Sequence, residues 1–374
     1  MKAIIITALF IGLFQTPCLA AWNNDGQLSA QDYSLYESAL RQYEAGNYAD
    51  ALTRLRPLAA KGVTEAQYRL GLMFYLGQGT TRNPTEAADW IVKAAEQAQP
   101  SALIVLGLMH ERGDGAIQDW SKAIECYSNA AYQDRPDAQV ILARRYEVPR
   151  GVPQDYERAA DLYKDAAASG YAPAKYFMGL MRLSGSGLPK NAERGAVLIK
   201  EAADLGYAPA LCMMGRLHYT GEGVSKDCGT ALINFTKASS AAYAPAYYEL
   251  GMFYLTGKCT PVNTSKAISL LEEAARLGSA PAQYRLGLIY ERGSGVKKQP
   301  LQAYKWYVIA AGHAGAAEEG DKAREAAAKL EEKMGSAKFK RAQREAVAYV
   351  EQRAVPDDDV LLLLKTFETK ERRR

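Results

Sequence analysis

The chain of 374 residues is 48% hydrophobic and 24% charged, a globular composition too apolar for a disordered chain. Its net charge of +4 is spread along the length, which argues against a nucleic-acid surface. The three histidines, His110, His218 and His313, are too few and too dispersed for a histidine-based metal or proton-relay site.

Residues 1–20 have the features of a signal peptide. Lys2 supplies the positive start, and Ala3–Phe14 is an apolar run too short to span a bilayer. Pro17 breaks the run, and Cys18-Leu19-Ala20 places small residues where a signal peptidase reads, so cleavage before Ala21 is expected. Gln15-Thr16-Pro17 is the wrong context for a lipobox at Cys18. No later segment has eighteen consecutive apolar residues. The mature chain is therefore expected to be periplasmic or secreted, with no integral membrane segment after cleavage.

Residues 21–65 contain a short helical hairpin. Gly46-Asn47-Tyr48 forms its tight turn, and Pro57 is expected to kink its second helix. A repeat then organises the chain. The string AQYRLGLMFYLGQG from Ala66 returns as AQYRLGLIYERGSG from Ala282, and Ala102, Ala138, Ala174, Ala210 and Ala246 fall in register between them at intervals of 36 residues. Seven units occupy residues 66–315. Positions below are counted from these anchor alanines.

Plus four is Leu70, Leu106, Leu142, Leu250 or Leu286, and a glycine follows at Gly71, Gly107, Gly179, Gly215, Gly251 and Gly287. Anchor, plus four and plus eight share one helix face. A glycine inside a helix costs about 1 kcal/mol against alanine, so close approach of a second helix is its expected reason. Glycine pairs such as Gly77 and Gly79, or Gly221 and Gly223, end the first helix. Asp119, Asp155 and Asp227 are placed to cap the second, which closes at Gly170, Gly206 or Gly278. Tyr171-Ala172-Pro173, Tyr207-Ala208-Pro209 and Tyr243-Ala244-Pro245 open the next unit. The third unit departs, with Ala143 for glycine and Pro149 for the first turn glycine, so an altered turn is expected there; the sixth has Cys259 at its second turn position.

The pattern A-x3-LG-x2-Y-x2-G-x-G-V-x2-D-x3-A-x6-AA-x2-G resembles the Sel-one-like repeat, a relative of the tetratricopeptide repeat, over about two thirds of the chain. The resemblance implies an all-α, right-handed superhelical solenoid of helix–turn–helix repeats. It also implies a non-enzymatic scaffold or adaptor that binds a partner protein or peptide in the cell envelope or outside the cell. Two rivals are an envelope signalling regulator that restrains a membrane sensor, and a β-lactam-binding or hydrolysing enzyme. The second is disfavoured, because this chain lacks the regularly paired cysteines of Cys-rich relatives.

Stacked hairpins form a concave surface lined by first helices. Plus two and plus six are largely apolar and are expected to pack between repeats. Plus nine is more variable, with Tyr75, Glu111, Glu147, Tyr219 and Glu291, and plus three adds Arg69, Glu249 and Arg285. These eight residues are the candidate partner-binding set on the concave face; an ordinary solvated face is the competing explanation.

Four cysteines remain in the mature chain, which permits two disulfides in three connectivities. Cys228 and Cys259, at turn-side positions of adjacent units, are the preferred pair. Cys126 is expected to be a buried thiol, and Cys212 is either free or a competitor for Cys228. No CxxC, P-loop or HExxH pattern occurs, so no metal or cofactor is expected and the glycine pairs are turns. Residues 316–352 are expected to form a capping helix pair and 353–374 a mobile tail, whose Val360–Leu364 run with Phe367 either folds back or docks elsewhere.

Overall fold

Seventeen α-helices and no strand make up the regular structure of the described residues, 29–149, 151–313, 318–333 and 344–345, in a computed structural model. The expected signal peptide, the Ala337–Gln352 part of the cap apart from residues 344–345, and the 353–374 tail lie outside those residues. The chain divides between Gln133 and Asp134 into two units.

In the first unit, α1 (Ala30–Glu44) and α2 (Tyr48–Ala60) form the leading hairpin. α2 runs through Pro57 and ends three residues later. Two repeats follow, α3 (Thr64–Leu76) with α4 (Pro84–Glu96), and α5 (Pro100–Arg112) with α6 (Trp120–Ala131). The second unit holds α7 (Pro136–Glu147), α8 (Tyr156–Ala168), α9 (Ala172–Ser184), α10 (Ala192–Asp204), α11 (Ala208–Thr220) and α12 (Cys228–Ser240). It continues with α13 (Ala244–Thr256), α14 (Thr264–Arg276), α15 (Ala280–Arg292), α16 (Pro300–His313) and α17 (Glu318–Lys333). From α3 to α16, odd helices are the first of a repeat and even helices the second. Within each unit every helix packs against the next in chain order, the arrangement of an all-α solenoid.

Local chemistry explains these boundaries. Asp119, Asp155 and Asp227 accept hydrogen bonds from the first-turn amides of α6, α8 and α12, and Asn83, Asn191 and Asn263 do the same for α4, α10 and α14. Gly77, Gly113, Gly185, Gly221, Gly257 and Gly293 end first helices in the left-handed region. The third repeat differs as expected from Pro149. There α7 stops one residue earlier and Val148 caps it in extended conformation, with φ −116°. At the end of α17, Ala327 and Leu330 pack on Ala303, Tyr304 and Tyr307 of α16 and close that end of the core.

The mid-helix glycine has a common physical reason. A Cβ on Gly71 would sit 2.7 Å from Ile91, and one on Gly215 would sit 2.7 Å from Phe235. Gly107, Gly179, Gly251 and Gly287 face Tyr127, Ile199, Leu271 and Tyr307 in the same way. Plus five of the first helix therefore receives the plus-25 side chain of the second, and the two helices cross at that point.

Candidate functional site

The plus-nine residues lie beside this crossing. The Tyr127 hydroxyl donates to Glu111 at 3.0 Å, Tyr163 to Glu147 at 2.8 Å and Tyr307 to Glu291 at 2.6 Å. Each pair joins plus 25 to plus nine of one repeat. Where plus 25 is Ile91, Ile199, Phe235 or Leu271, plus nine is Tyr75, Leu183, Tyr219 or Leu255 and carries no carboxylate. Burial pushes the Tyr163 and Tyr307 hydroxyls well above the ordinary phenol range, so they act as donors. The position is a latch between the two helices of a hairpin, or an apolar substitute for one.

Most of the other candidate residues are also engaged. Tyr75 is 4% exposed, a core residue rather than a surface one, with the Arg82 guanidinium 5.2 Å from its ring centroid. Burial first, then a hydrogen bond to Asp114, raises its phenol to about 12. Tyr219 is half-buried, with its ring 5.0 Å from that of Phe253. Arg69 donates to the Tyr36 hydroxyl at 2.9 Å and pairs with Glu65 at 3.0 Å. Glu249 pairs with Arg216 at 2.7 Å, and the half-buried Arg285 has an unbonded Nε. Within the second unit, Glu147, Glu249 and Glu291 are each taken by a side chain of the protein.

The turns use plus eight. His110 Nδ1 lies 3.1 Å from the Ile117 carbonyl, and His218 Nδ1 lies 3.2 Å from that of Ser225. Arg182 donates to the Pro189 carbonyl at 3.0 Å from the equivalent place. Both histidines thus hold turns. No group of three or more His, Cys, Asp or Glu side chains positioned for a metal occurs among the described residues.

Cys228 and Cys259 form a disulfide with Cα atoms 5.3 Å apart. In other repeats the second turn glycine meets the start of the preceding second helix: Gly79 at Tyr48, Gly187 at Tyr156 and Gly223 at Ala192. Cys259 occupies that turn position with φ +61°, and Cys228 is the first residue of α12. The disulfide therefore replaces a contact that the repeat already makes. Cys126 and Cys212 are free and buried.

The accessible chemistry lies on rows whose periodicity predicts inter-repeat packing or repeat starts. Plus two and plus six are buried at Tyr68, Ile104, Leu72, Leu108, Val140 and Cys212. In the second unit, however, Tyr176 is only half-buried and Arg144 and Arg216 are exposed. Tyr207 and Tyr243, the residues before α11 and α13, are half-buried beside them. The Tyr176 and Tyr207 rings meet edge-on at 5.5 Å, Tyr176 and Phe177 at 5.2 Å, and the Arg144 guanidinium lies 5.3 Å from the Phe177 centroid. Tyrosines spaced through successive units are the sequence signal that marks this strip.

The model of a family described as Sel1 repeat matches residues 64–98, 100–134, 136–171, 172–207, 208–243, 244–279 and 280–312. The chain is similar to a crystallised Sel1 repeat protein from Oxalobacter formigenes, with 30% identity over 65% of this chain and 99% of that chain and a TM-score of 0.61. It is similar at 24% identity to a protective antigen of uropathogenic Escherichia coli displaying an SLR fold, over 86% of this chain and 85% of that chain, with a TM-score of 0.37. An immunity protein from Pseudomonas aeruginosa is 26% identical over 62% of this chain and 82% of that chain, with a TM-score of 0.43. No curated protein matches the chain.

Proposed function

The chain belongs to the Sel1 repeat family, and on that footing we propose that it is a non-enzymatic interaction scaffold in the cell envelope or outside the cell, binding a partner protein or peptide along its first helices. Proteins of this family generally serve as protein-interaction scaffolds. The observation that carries the reading is the repeat itself, seven hairpins whose polar groups at plus eight and plus nine are spent on holding helices and turns. Repeated helical hairpins of this kind are what a scaffold presents. Two features support export. Residues 1–20 have the pattern of a signal peptide, and the Cys228–Cys259 disulfide suits an oxidising compartment. No described helix is long and apolar enough to cross a membrane.

The test is affinity capture of the tagged mature chain from its own envelope fraction after mild crosslinking. N-terminal sequencing of the recovered chain accompanies it. One stoichiometric protein partner and a chain beginning at Ala21 are expected. A chain retaining Met1 in the cytoplasmic fraction would overturn the location. Recovery of no protein at all, together with hydrolysis of a chromogenic β-lactam, would overturn the scaffold reading in favour of an enzyme.

A further inference from the structure

The strip in the second unit is rich in hydrogen-bond donors and short of acceptors. Among the described residues the hydroxyls of Tyr176, Tyr207 and Tyr243 bond to no protein group, and Arg144 forms no ion pair. The neighbouring carboxylates are already engaged. Glu147 accepts from Tyr163, Asp137 from Arg135 at 2.8 Å and Glu249 from Arg216, while Lys175 is taken by Glu201 on α10. Arg144 is left as an exposed guanidinium with no ion-pair partner, one helical turn from the half-buried Glu147 carboxylate whose proton affinity it lowers.

The phenols stay protonated. Burial pushes Tyr176 and Tyr207 upwards and, with Cys212 and Tyr176 adding to it, lifts Tyr243 to about 12. Tyr176 and Tyr243 are both near enough to Tyr207 to raise it. Rigid aromatic side chains with polar tips and arginine are the residue types that dominate protein-binding hot spots. Nucleic acid fits poorly, because its backbone demands several cations and only one guanidinium is unpaired here.

We propose that the strip of Arg144, Phe177, Tyr176, Tyr207, Tyr243 and Arg216 receives an extended acidic segment of a partner protein. A partner carboxylate meets the Arg144 guanidinium, and main-chain carbonyls accept from the three phenols. The ring faces supply the apolar contact between these polar points. This deepens the scaffold reading and rests on it.

A random dodecamer library displayed on phage and selected on the disulfide-intact mature chain tests it. The most enriched sequence is synthesised with fluorescein and its Kd measured by polarisation. The enriched peptides are expected to carry Asp or Glu and to bind more weakly as salt rises. Arg144→Gln should weaken the labelled peptide by about tenfold or more, and Tyr207→Phe by roughly threefold to tenfold, as for lost charged and neutral hydrogen bonds. Tyr207→Phe keeps the ring, and unchanged circular dichroism and thermal midpoint show that the fold is intact. Enrichment of basic or wholly apolar peptides overturns the proposal. So does an acidic peptide indifferent to both substitutions, which would leave the scaffold reading standing and move its site elsewhere. No enriched peptide, with binding of a fluorescent uronate polymer instead, overturns it in favour of an acidic glycan. Capture of a crosslinked protein judges the scaffold reading independently of all these results.

Discussion

The hydroxyl of Tyr163 on α8 donates to the carboxylate of Glu147 on α7 at 2.8 Å, and the ring of Tyr163 stacks 5.3 Å from Phe177 of the next repeat. One tyrosine thus ties a helix pair together and carries the contact on to the following hairpin. The same latch holds the second and seventh repeats. Repeats without it have apolar or aromatic side chains at both positions, so the two solutions exchange as pairs.

Tyr163→Phe leaves the Glu147 carboxylate without its donor in a half-buried place. A loss of about 1–3 kcal/mol in urea unfolding is expected. The double variant Tyr163→Ile with Glu147→Leu installs the pair of the fourth repeat and should cost less than the sum of its single variants by about 1 kcal/mol or more. Strict additivity would show that the two residues are not coupled.

Burial holds the Glu147 carboxyl above its ordinary value of 4.5, against the opposing pull of the Tyr163 hydrogen bond. A raised carboxyl binds its proton more tightly in the folded state than in the unfolded chain. Its contribution is complete below the unfolded value and is lost as pH rises through the folded one. Wild type should therefore lose stability relative to Glu147→Gln as pH climbs from about 4 to neutrality. Urea midpoints of both proteins across that range check the sign, and a relative gain by wild type would contradict it.

The glycines make a prediction with two opposite signs. Gly215→Ala forces a methyl to 2.7 Å from Phe235 and should destabilise by about 1–3 kcal/mol. Ala242 stands at φ +56° where Gly170, Gly206 and Gly278 close other second helices. Ala242→Gly should stabilise by about 1 kcal/mol, because it removes the cost of a side chain in the left-handed region. Thermal midpoints moving in the same direction for both variants would refute the assignment.

Reduction of Cys228–Cys259, which are 31 residues apart, should cost about 3–4 kcal/mol by releasing the unfolded chain. In the reduced background Cys259→Gly should be more stable than Cys259→Ser, since only glycine takes φ +61° without strain. Burial raises the thiols of Cys126 and Cys212 to about 11 and about 12. Both should resist alkylation at pH 8 in the folded protein and react on denaturation, giving two thiols from residues 29–333. Four thiols would remove the staple.

Periodicity alone determined most of the architecture. The period, the Asp caps, the turn glycines and the altered third turn are short-range features in which each residue acts on its own helix or turn, so they repeat visibly along the chain. The reason for Gly107 or Gly215 was legible as a close approach, but its partner twenty residues later was not named until the helices crossed. The candidate binding residues were less legible. Glu111, Glu147 and Glu291 look like free charges on a helix face because the tyrosines that take them lie on the other helix of the hairpin. Only tertiary packing brings plus nine to plus 25, buries Tyr75 and leaves the hydroxyls of Tyr176, Tyr207 and Tyr243 without a protein acceptor. A repeat pattern specifies which residues face a neighbour, and the packed helices decide which polar groups that neighbour satisfies.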